Sequence, residues 1–459
     1  MTQTPASFDR TAIRKQLFHL AVPTFGQLIA EPAFVLIDTA IVGHISTSSL
    51  AGLSVGSTII LTALGLCNFL AYSTTSHVAM LMGAGKVRAG LRSGINGMWL
   101  ALGIGLILAV GLFAGASPLC WAIGARGQDL TQAVIYTRAV VLGAPGMLLV
   151  YAVNGILRGL QKVTVTLWAA VGSAALNTLL DFVFIFGAHL GVFGSGLATC
   201  LAQWAMGLFL SALVILHARV RSVPLKPSEE GLAQNIGDGF PLFIRTLALR
   251  AAMVATVMAA AAMGTQVLAS YQAVNSAWNF ALNTLDSVAI AGQALVGRSL
   301  GEKDTVTTRY LTSLIAQSGA WLGVLVGLIF FFLGLWGPAF FSPVPQLQHL
   351  ISISMMVLAL FFPLQGWMWA LDGILIGAGD FVYLAKACSL AALGHFLGLT
   401  LMQASLRLFQ VQSEEIKIVL LWLVFNLIFM GLRAGTNGLR AKKDVWMLSA
   451  IEKSEKKNY

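Results

Sequence analysis

From Leu17 to Met430 the chain repeats one pattern: a long apolar run, a short polar joint, then another run. A helix needs roughly 20 residues to cross the hydrocarbon core of a bilayer. Runs at about 15–43, 53–82, 93–117, 129–157, 163–186, 193–217, 235–261, 268–297, 308–333, 348–376, 381–407 and 414–436 approach or exceed that length. Lipid offers no partner to a backbone N–H or C=O, so such runs must be helical, and their unbroken hydrophobicity excludes the alternating pattern of a membrane β-barrel. The pattern predicts an all-α polytopic membrane protein with twelve transmembrane helices.

Composition agrees: 57% of the 459 residues are hydrophobic and 10% are charged, against about 25% charged in a soluble domain. The net charge of +10 could suggest nucleic acid, but the basic residues lie in the joints, where membrane topology places them, and no soluble basic domain exists to hold a duplex. Even-numbered connections and both ends carry them: Arg10, Arg14, Lys15; Lys86, Arg88, Arg92; Arg158, Lys162; Arg219, Arg221, Lys226; Arg298, Lys303, Arg309; Arg433, Arg440, Lys442, Lys443. The odd-numbered connections hold Arg126, Arg407 and Lys417. The positive-inside rule then puts both termini in the cytoplasm. The first run is longer than a signal-peptide core and no small-residue cleavage pattern follows, so it reads as a retained span. Cys67, Cys120, Cys200 and Cys388 show no metal-ligand spacing and read as packing residues.

Sliding the chain against itself by 218 residues lays Pro23 on Pro241, Phe25 on Phe243, Gly83 on Gly301 and Pro145 on Pro363, and lays Asn154-Gly155-Ile156-Leu157 on Asp372-Gly373-Ile374-Leu375. Matches of Pro and Gly carry weight, because each marks a missing backbone donor or a bare helix surface. Six spans return the chain to its starting side, so the halves should be parallel copies about a pseudo-twofold along the membrane normal. The expected organisation is a six-helix lobe over 1–217, a cytoplasmic linker over 218–234, a second six-helix lobe over 235–440 and a polar cytoplasmic tail over 441–459. Two such lobes suit alternating access, the geometry of a carrier rather than a pore.

At this point the chain resembles the multidrug and toxic compound extrusion (MATE) family, most closely its DinF-type branch, over about residues 10 to 440. The resemblance is carried by Ala21-Val22-Pro23 with Leu36-Ile37-Asp38-Thr39-Ala40-Ile41-Val42-Gly43-His44; by Asn154-Gly155 through Gln161-Lys162; by Asn177-Thr178-Leu179-Leu180-Asp181-Phe182-Val183-Phe184; and by Asp372 through Gly377. It implies two six-helix lobes, export of amphipathic and often cationic organic compounds, and an inward proton or sodium gradient as the driving force, with no cofactor. It further implies a bacterial plasma membrane; a monomer is the expected state.

Asp38 and Asp181 both fall inside apolar runs of the first lobe. An Asp at a helix centre costs about 2.5–3.5 kcal/mol on insertion scales, so one that is tolerated faces a partner or a cavity. Gln27 and Glu31 precede Asp38 by eleven and seven residues on roughly the same helical face, and Asn177 precedes Asp181 by four. The 218-residue shift lays Asp38 on Thr256 and Asp181 on Leu399, so the second lobe lacks the pair. The resemblance assigns Asp38 and Asp181 as coupling-ion acids and Tyr136, Asn154, Asn177 and Thr199 as hydrogen-bonding groups around them. Burial and a neighbouring carboxylate both favour the protonated form of an acid, which suits proton coupling. The same oxygens could cage sodium, and the residues leave that choice open. Pro23 cannot donate to the His19 carbonyl and marks a hinge in the helix that carries Asp38. The simpler alternative is that the two acids only bond across helices.

The second lobe carries Arg245 and Arg250 in the seventh run, Asp286 in the eighth and Asp372 in the tenth. Opposite signs point to a structural pairing of Arg250 with Asp286 or Asp372; the alternative is that an acid touches substrate, as Glu31 could. Gly83-Ala84-Gly85-Lys86 fails as a phosphate loop, since Met80 and Val87 stand where that motif needs Gly and Ser or Thr. Lone His77 and His395 are more often satisfied by a neighbour than by a metal, and Trp99, Trp121, Trp336, Trp367, Trp369 and Trp422 include candidates for interface anchors. An integral-membrane transferase would want clustered acids near a membrane face, and no DxxxD or DDxxD occurs in a loop. A lipid or lipid-linked-sugar flippase on a related scaffold is the nearer alternative.

Overall fold

The computed structural model describes residues 10–43 and 46–456, and these fold almost wholly as helix. The first six columns are α1 (Arg10–Gly43); α2 (Thr47–Leu66) running into α3 (Phe69–Gly83); α4 (Val87–Ile123); α5 (Gly127–Val141) and α6 (Ala144–Gly159); α7 (Val163–Asp181), continued by a π-helical turn, Phe182–Gly187; and α8 (Gly191–Val220). The second six are α9 (Glu229–Met263), α10 (Thr265–Gly301), α11 (Thr305–Trp336), α12 (Pro345–Gly377), α13 (Phe381–Leu408), and α14 (Glu414–Leu423) joined through a second π-helical turn, Val424–Met430, to α15 (Gly431–Ala441). A short α16 (Val445–Lys456) follows.

Among the described residues nine columns are long and apolar enough to span a bilayer, and α5 with α6, bent by 48° at their junction, makes a tenth. The remaining two, α1 and α10, are 34 and 37 residues long, which at 1.5 Å per residue exceeds what a span requires. In α10 the hydropathy is diluted by Gln266, Gln272, Asn275, Asn279, Asn283, Asp286 and Gln293. Polar residues persist in a span where they face protein or a water-filled space.

The chain forms two compact units. One is Val22–Phe243; the other joins Ile244 onward to the start of α1, up to Ala21. The chain therefore passes from one unit to the other inside α1, beside Pro23, and inside α9, just after Pro241.

Within the first unit the segment 221–228 is strapped to α4. Arg88 Nη2 donates to Ser222 O (2.9 Å) and Trp99 Nε1 to Leu225 O (2.9 Å). The Asn96 side chain accepts from the Ser228 N–H and donates to the Ser228 hydroxyl, each at 3.1 Å. Within the second unit, α11 and α12 approach until backbone meets backbone: a Cβ at Gly366 would lie 2.1 Å from Gly319 O. Such contacts let small residues bring spans together where water supplies no hydrophobic drive. Gly366→Val is expected to destabilise the second unit by about 1–3 kcal/mol through overpacking. Thermal unfolding in detergent should show a lowered transition.

The stretch 441–459 reads from sequence as a polar tail, but the structure corrects this over 445–456. Trp446, Met447 and Ala450 are buried, and α16 packs on α10 and α15. The turn before it is pinned by Asp444, which accepts from Arg309 Nη2 (2.6 Å) and Nε (3.3 Å). Arg309 holds the Asp444 carboxyl below its ordinary range. The link is present at neutral pH and is lost only as acid protonates Asp444 below the usual carboxylate range.

Candidate functional site

The first unit gathers the two acids, Tyr136, Thr199 and the Asn177 amide at one buried locus. Asp38 lies near the end of α1 and is 4% exposed. Its Oδ1 accepts from Ser195 Oγ on α8 at 2.7 Å. Asp181 is the last residue of α7, fully buried, and leads straight into the π-helical turn. Wide turns of this kind recur at functional positions. Neither Asp181 oxygen has a hydrogen-bond partner among the described residues, and the same holds for Asn154 Oδ1 on α6. Asp38 and Asp181 are close enough to interact electrostatically, and both act on the Tyr136 hydroxyl. That hydroxyl accepts from Ser57 Oγ at 3.3 Å and meets Thr199. Asn177 Nδ2 donates to Thr199 Oγ1 at 3.1 Å.

Local sequence explains this convergence. Asn177 and Asp181 are four apart on α7, and Ser195 and Thr199 are four apart on α8, so each pair shares a helix face. Glycines then bring the backbones in: a Cβ at Gly56 would lie 2.5 Å from the Tyr136 ring, and one at Gly196 would lie 2.7 Å from Ala139 Cβ. The Tyr136 side of α5 is thus closed by α2 and by α8. Ser195 was not anticipated from sequence; its spacing to Thr199 and its place between Gly194 and Gly196 were the available signals.

Other expected residues lie elsewhere. Gln27 is buried but belongs to a separate knot, with Oε1 accepting from Thr166 Oγ1 (3.1 Å) and Arg158 Nη2 (3.4 Å). Eleven residues of helix, about 16 Å, separate it from Asp38. Arg158, read as a flanking charge, is buried beside it. Glu31 lies in α1, but its side chain is outside the described ones, as is His44 altogether. Pro23 sits inside a continuous α1, with Pro32 further along.

In the second unit the expected Arg250–Asp372 pair is not what forms. Asp372 Oδ2 accepts from both Arg245 and Arg433, and Oδ1 accepts from Asn437. Arg250 is exposed, because five residues turn it about 140° from Arg245 on α9. Asp286 is half-buried on α10. Arg433, read as a cytoplasmic charge, is buried, with its guanidinium 4.7 Å from the Trp369 ring.

The internal repeat relates the two clusters. The 218-residue shift that pairs Asn154 with Asp372 and Asp38 with Thr256 also pairs Asn177 with His395 and Tyr136 with Ser354. All four counterparts are buried, and Thr256 Oγ1 meets His395 Nε2 at 2.8 Å. Thus the carboxylate position of the first lobe holds a hydroxyl in the second, while the one carboxylate of the second cluster is matched by arginines. His77, also isolated in sequence, faces Asp238 Oδ2 at 3.0 Å. Among the described residues no three His, Cys, Asp or Glu side chains gather as a metal site.

These features define a multi-pass membrane protein made of two related six-helix halves, with a buried acid site in the first. A family model, MatE, matches both halves, at residues 23–183 and 241–399. The chain belongs to the MATE family of transporters. It is 28% identical to Protein DETOXIFICATION 43 of Arabidopsis thaliana over 437 residues, covering 82% of this chain and 83% of the relative. It is 27% identical to DNA damage-inducible protein F of Escherichia coli (strain K12) over 395 residues, covering 85% and 86%. The fold matches the outward-facing conformation of a multidrug resistance MATE family transporter of the MOP superfamily with a TM-score of 0.82 at 18% identity, covering 96% of each chain.

Proposed function

We propose that this transporter is a secondary active efflux antiporter that exports amphipathic, often cationic organic compounds in exchange for protons by alternating access. The observation that carries the reading is Asp181: a fully buried carboxyl with both oxygens unpartnered among the described residues, beside a second buried carboxyl. Two carboxylates in one buried site are unfavourable as two negative charges, so the site calls for a positive species. A proton satisfies it by making one carboxyl a donor, and the orphaned Asn154 Oδ1 adds a further acceptor to the first lobe. In this mechanism the deprotonated pair holds a cationic compound and protonation from outside releases it. Pro23, inside the continuous α1, leaves the His19 carbonyl without its helical donor and is the hinge at which the Asp38 end of the helix would bend in response to charge.

Sodium coupling is the second reading, favoured by the same all-oxygen donor set of Asp38, Asp181, Asn154, Asn177 and Thr199. We further place the protein in a bacterial plasma membrane as a monomer with both termini cytoplasmic, in keeping with the basic residues in the even-numbered joints.

The test is transport in proteoliposomes under an imposed gradient, following ethidium and lumenal pH together. Proton antiport predicts dye movement in sodium-free buffer with a matching pH change. Movement that requires a sodium gradient and leaves lumenal pH unchanged would overturn it in favour of the second reading. Ser195→Ala bears on the same site: it removes the 2.7 Å bond to Asp38, a hydrogen bond to a charged group being worth about 1.5–3 kcal/mol. Transport is expected to fall about tenfold or more, with Ser195→Thr restoring most of it.

A further inference from the structure

Arg138 lies on α5, eleven residues inside the column that runs from Gly127 to Gly159, and it is exposed. Its Nε donates to Phe113 O on α4 at 3.4 Å, and its guanidinium carbon stands 5.3 Å from the Phe113 ring. That carbonyl adjoins the one at Ala114, whose helical donor is absent because Pro118 has no N–H. The Nε bond explains one of five guanidinium N–H groups. The two terminal nitrogens have no partner among the described residues, and no carboxylate pairs with them. Asp129, the acid of α5, is nine residues away and so on the opposite face of the helix.

The surroundings of Arg138 are what lipid would touch. Ile135 and Leu142, three residues before and four after, are exposed on the same side, and Val110 and Phe113 are exposed on α4. Depth follows from length. The single helix α4 measures roughly 55 Å at 1.5 Å per residue, against a hydrocarbon core of about 30 Å, so a centred α4 projects by roughly 12 Å at each end, and Phe113, about 15 Å from the Ile123 end, lies just inside the acyl boundary. Arg138 is about 16 Å from the start of its column, a few ångströms below the acyl boundary. Arg126, just before the column and outside that boundary, differs in kind. It stacks on Trp121 at 4.3 Å and its Nη1 is used on the carbonyls of Trp121 and Ala125.

We propose that the α4–α5 groove at Arg138 binds the headgroup of an anionic phospholipid, whose phosphate takes the free Nη1–Nη2 edge of the guanidinium while its acyl chains cover Val110, Ile135 and Leu142. A planar guanidinium matches a phosphate bidentately, and an arginine just below the interface reaches up to that level. The occupant is a lipid rather than free phosphate because the groove around the charge is apolar and opens to the bilayer.

The experiment uses the full chain purified in detergent, with phosphatidylglycerol, phosphatidylcholine or inorganic phosphate added. Wild type is expected to gain a few degrees in thermal unfolding from phosphatidylglycerol alone. Arg138→Gln should lose at least half of that gain and retain one fewer phosphatidylglycerol in native mass spectrometry, while Arg126→Gln keeps it. Arg138→Lys, which keeps charge without the bidentate edge, is expected to fall between, and it decides the matter if Arg138→Gln does not fold. The proposal is overturned if the variant and wild type respond equally to phosphatidylglycerol, or if phosphatidylcholine or inorganic phosphate gives the same gain.

Discussion

Asp181→Asn is expected to abolish gradient-driven export while leaving a folded protein, because the substitution keeps the shape of the side chain and removes its ability to gain and lose a proton. The side chain is fully buried and its oxygens are unpartnered among the described residues, so an amide there breaks no observed hydrogen bond. Loss of activity with an unchanged unfolding transition would therefore report lost coupling. Asp38→Asn should have the same functional consequence, with some loss of order, since Asp38 Oδ1 accepts from Ser195. If the two acids act as one unit, the double variant should transport no worse than either single one, the non-additivity expected of groups sharing one step. The measurement is ethidium efflux and lumenal pH in proteoliposomes, for wild type and all three variants at equal protein content. Export by Asp181→Asn at more than about half the wild-type rate would mean that the pair serves packing alone, and attention would move to the second unit.

The fold was legible because its signals are long. The twelve expected runs correspond to twelve helical columns among the described residues, nine or ten of them apolar enough to span a bilayer, and Pro and Gly at a constant offset announced the two related halves matched by the family model. The acids were legible for the opposite reason, being rare: Asp38 and Asp181 stand out in lipid-length sequence and the structure brings them to one locus. What sequence could not resolve was the depth and rotation of the remaining polar residues. Arg158 and Arg433 sit at the ends of runs, where a topology argument counts them as solvent-facing, yet helices extending past the apolar segment carry protein-buried surface with them. Ser195 carried only a faint signal, its spacing to Thr199 and its flanking glycines, because serine is common in spans and the α1–α8 pairing is what gives it a role. The strap of residues 221–228 on α4 depends on Asn96 and Trp99, more than 120 residues distant. No local pattern reports a contact of that range.

Asp372 provides the second large effect, and it separates stability from transport. Its carboxylate receives two arginines and Asn437 inside a protein core. Removing one partner of a buried ion pair typically costs about 3–5 kcal/mol, because the remaining charge is left uncompensated. Asp372→Asn leaves the Arg433 guanidinium buried between Trp369 and Phe429 with no carboxylate among its observed partners. The expected result is a large drop in thermal unfolding temperature and in the yield of folded protein. Because the damage comes from the orphaned cation, Asp372→Asn combined with Arg433→Met should recover part of the loss, as apolar replacements of buried ion pairs often do. Transport per folded molecule should change far less than in Asp181→Asn. A second-unit carboxylate that instead touched substrate would give the reverse signature, a stable Asp372→Asn protein with a raised KM, and unfolding and transport measured on the same preparations distinguish the two. The duplicated scaffold thus uses corresponding positions for different ends. Asn154 of the first half is buried with its side-chain oxygen unpartnered among the described residues, whereas its counterpart Asp372 is fixed by two arginines and is a strong link among α9, α12 and α15.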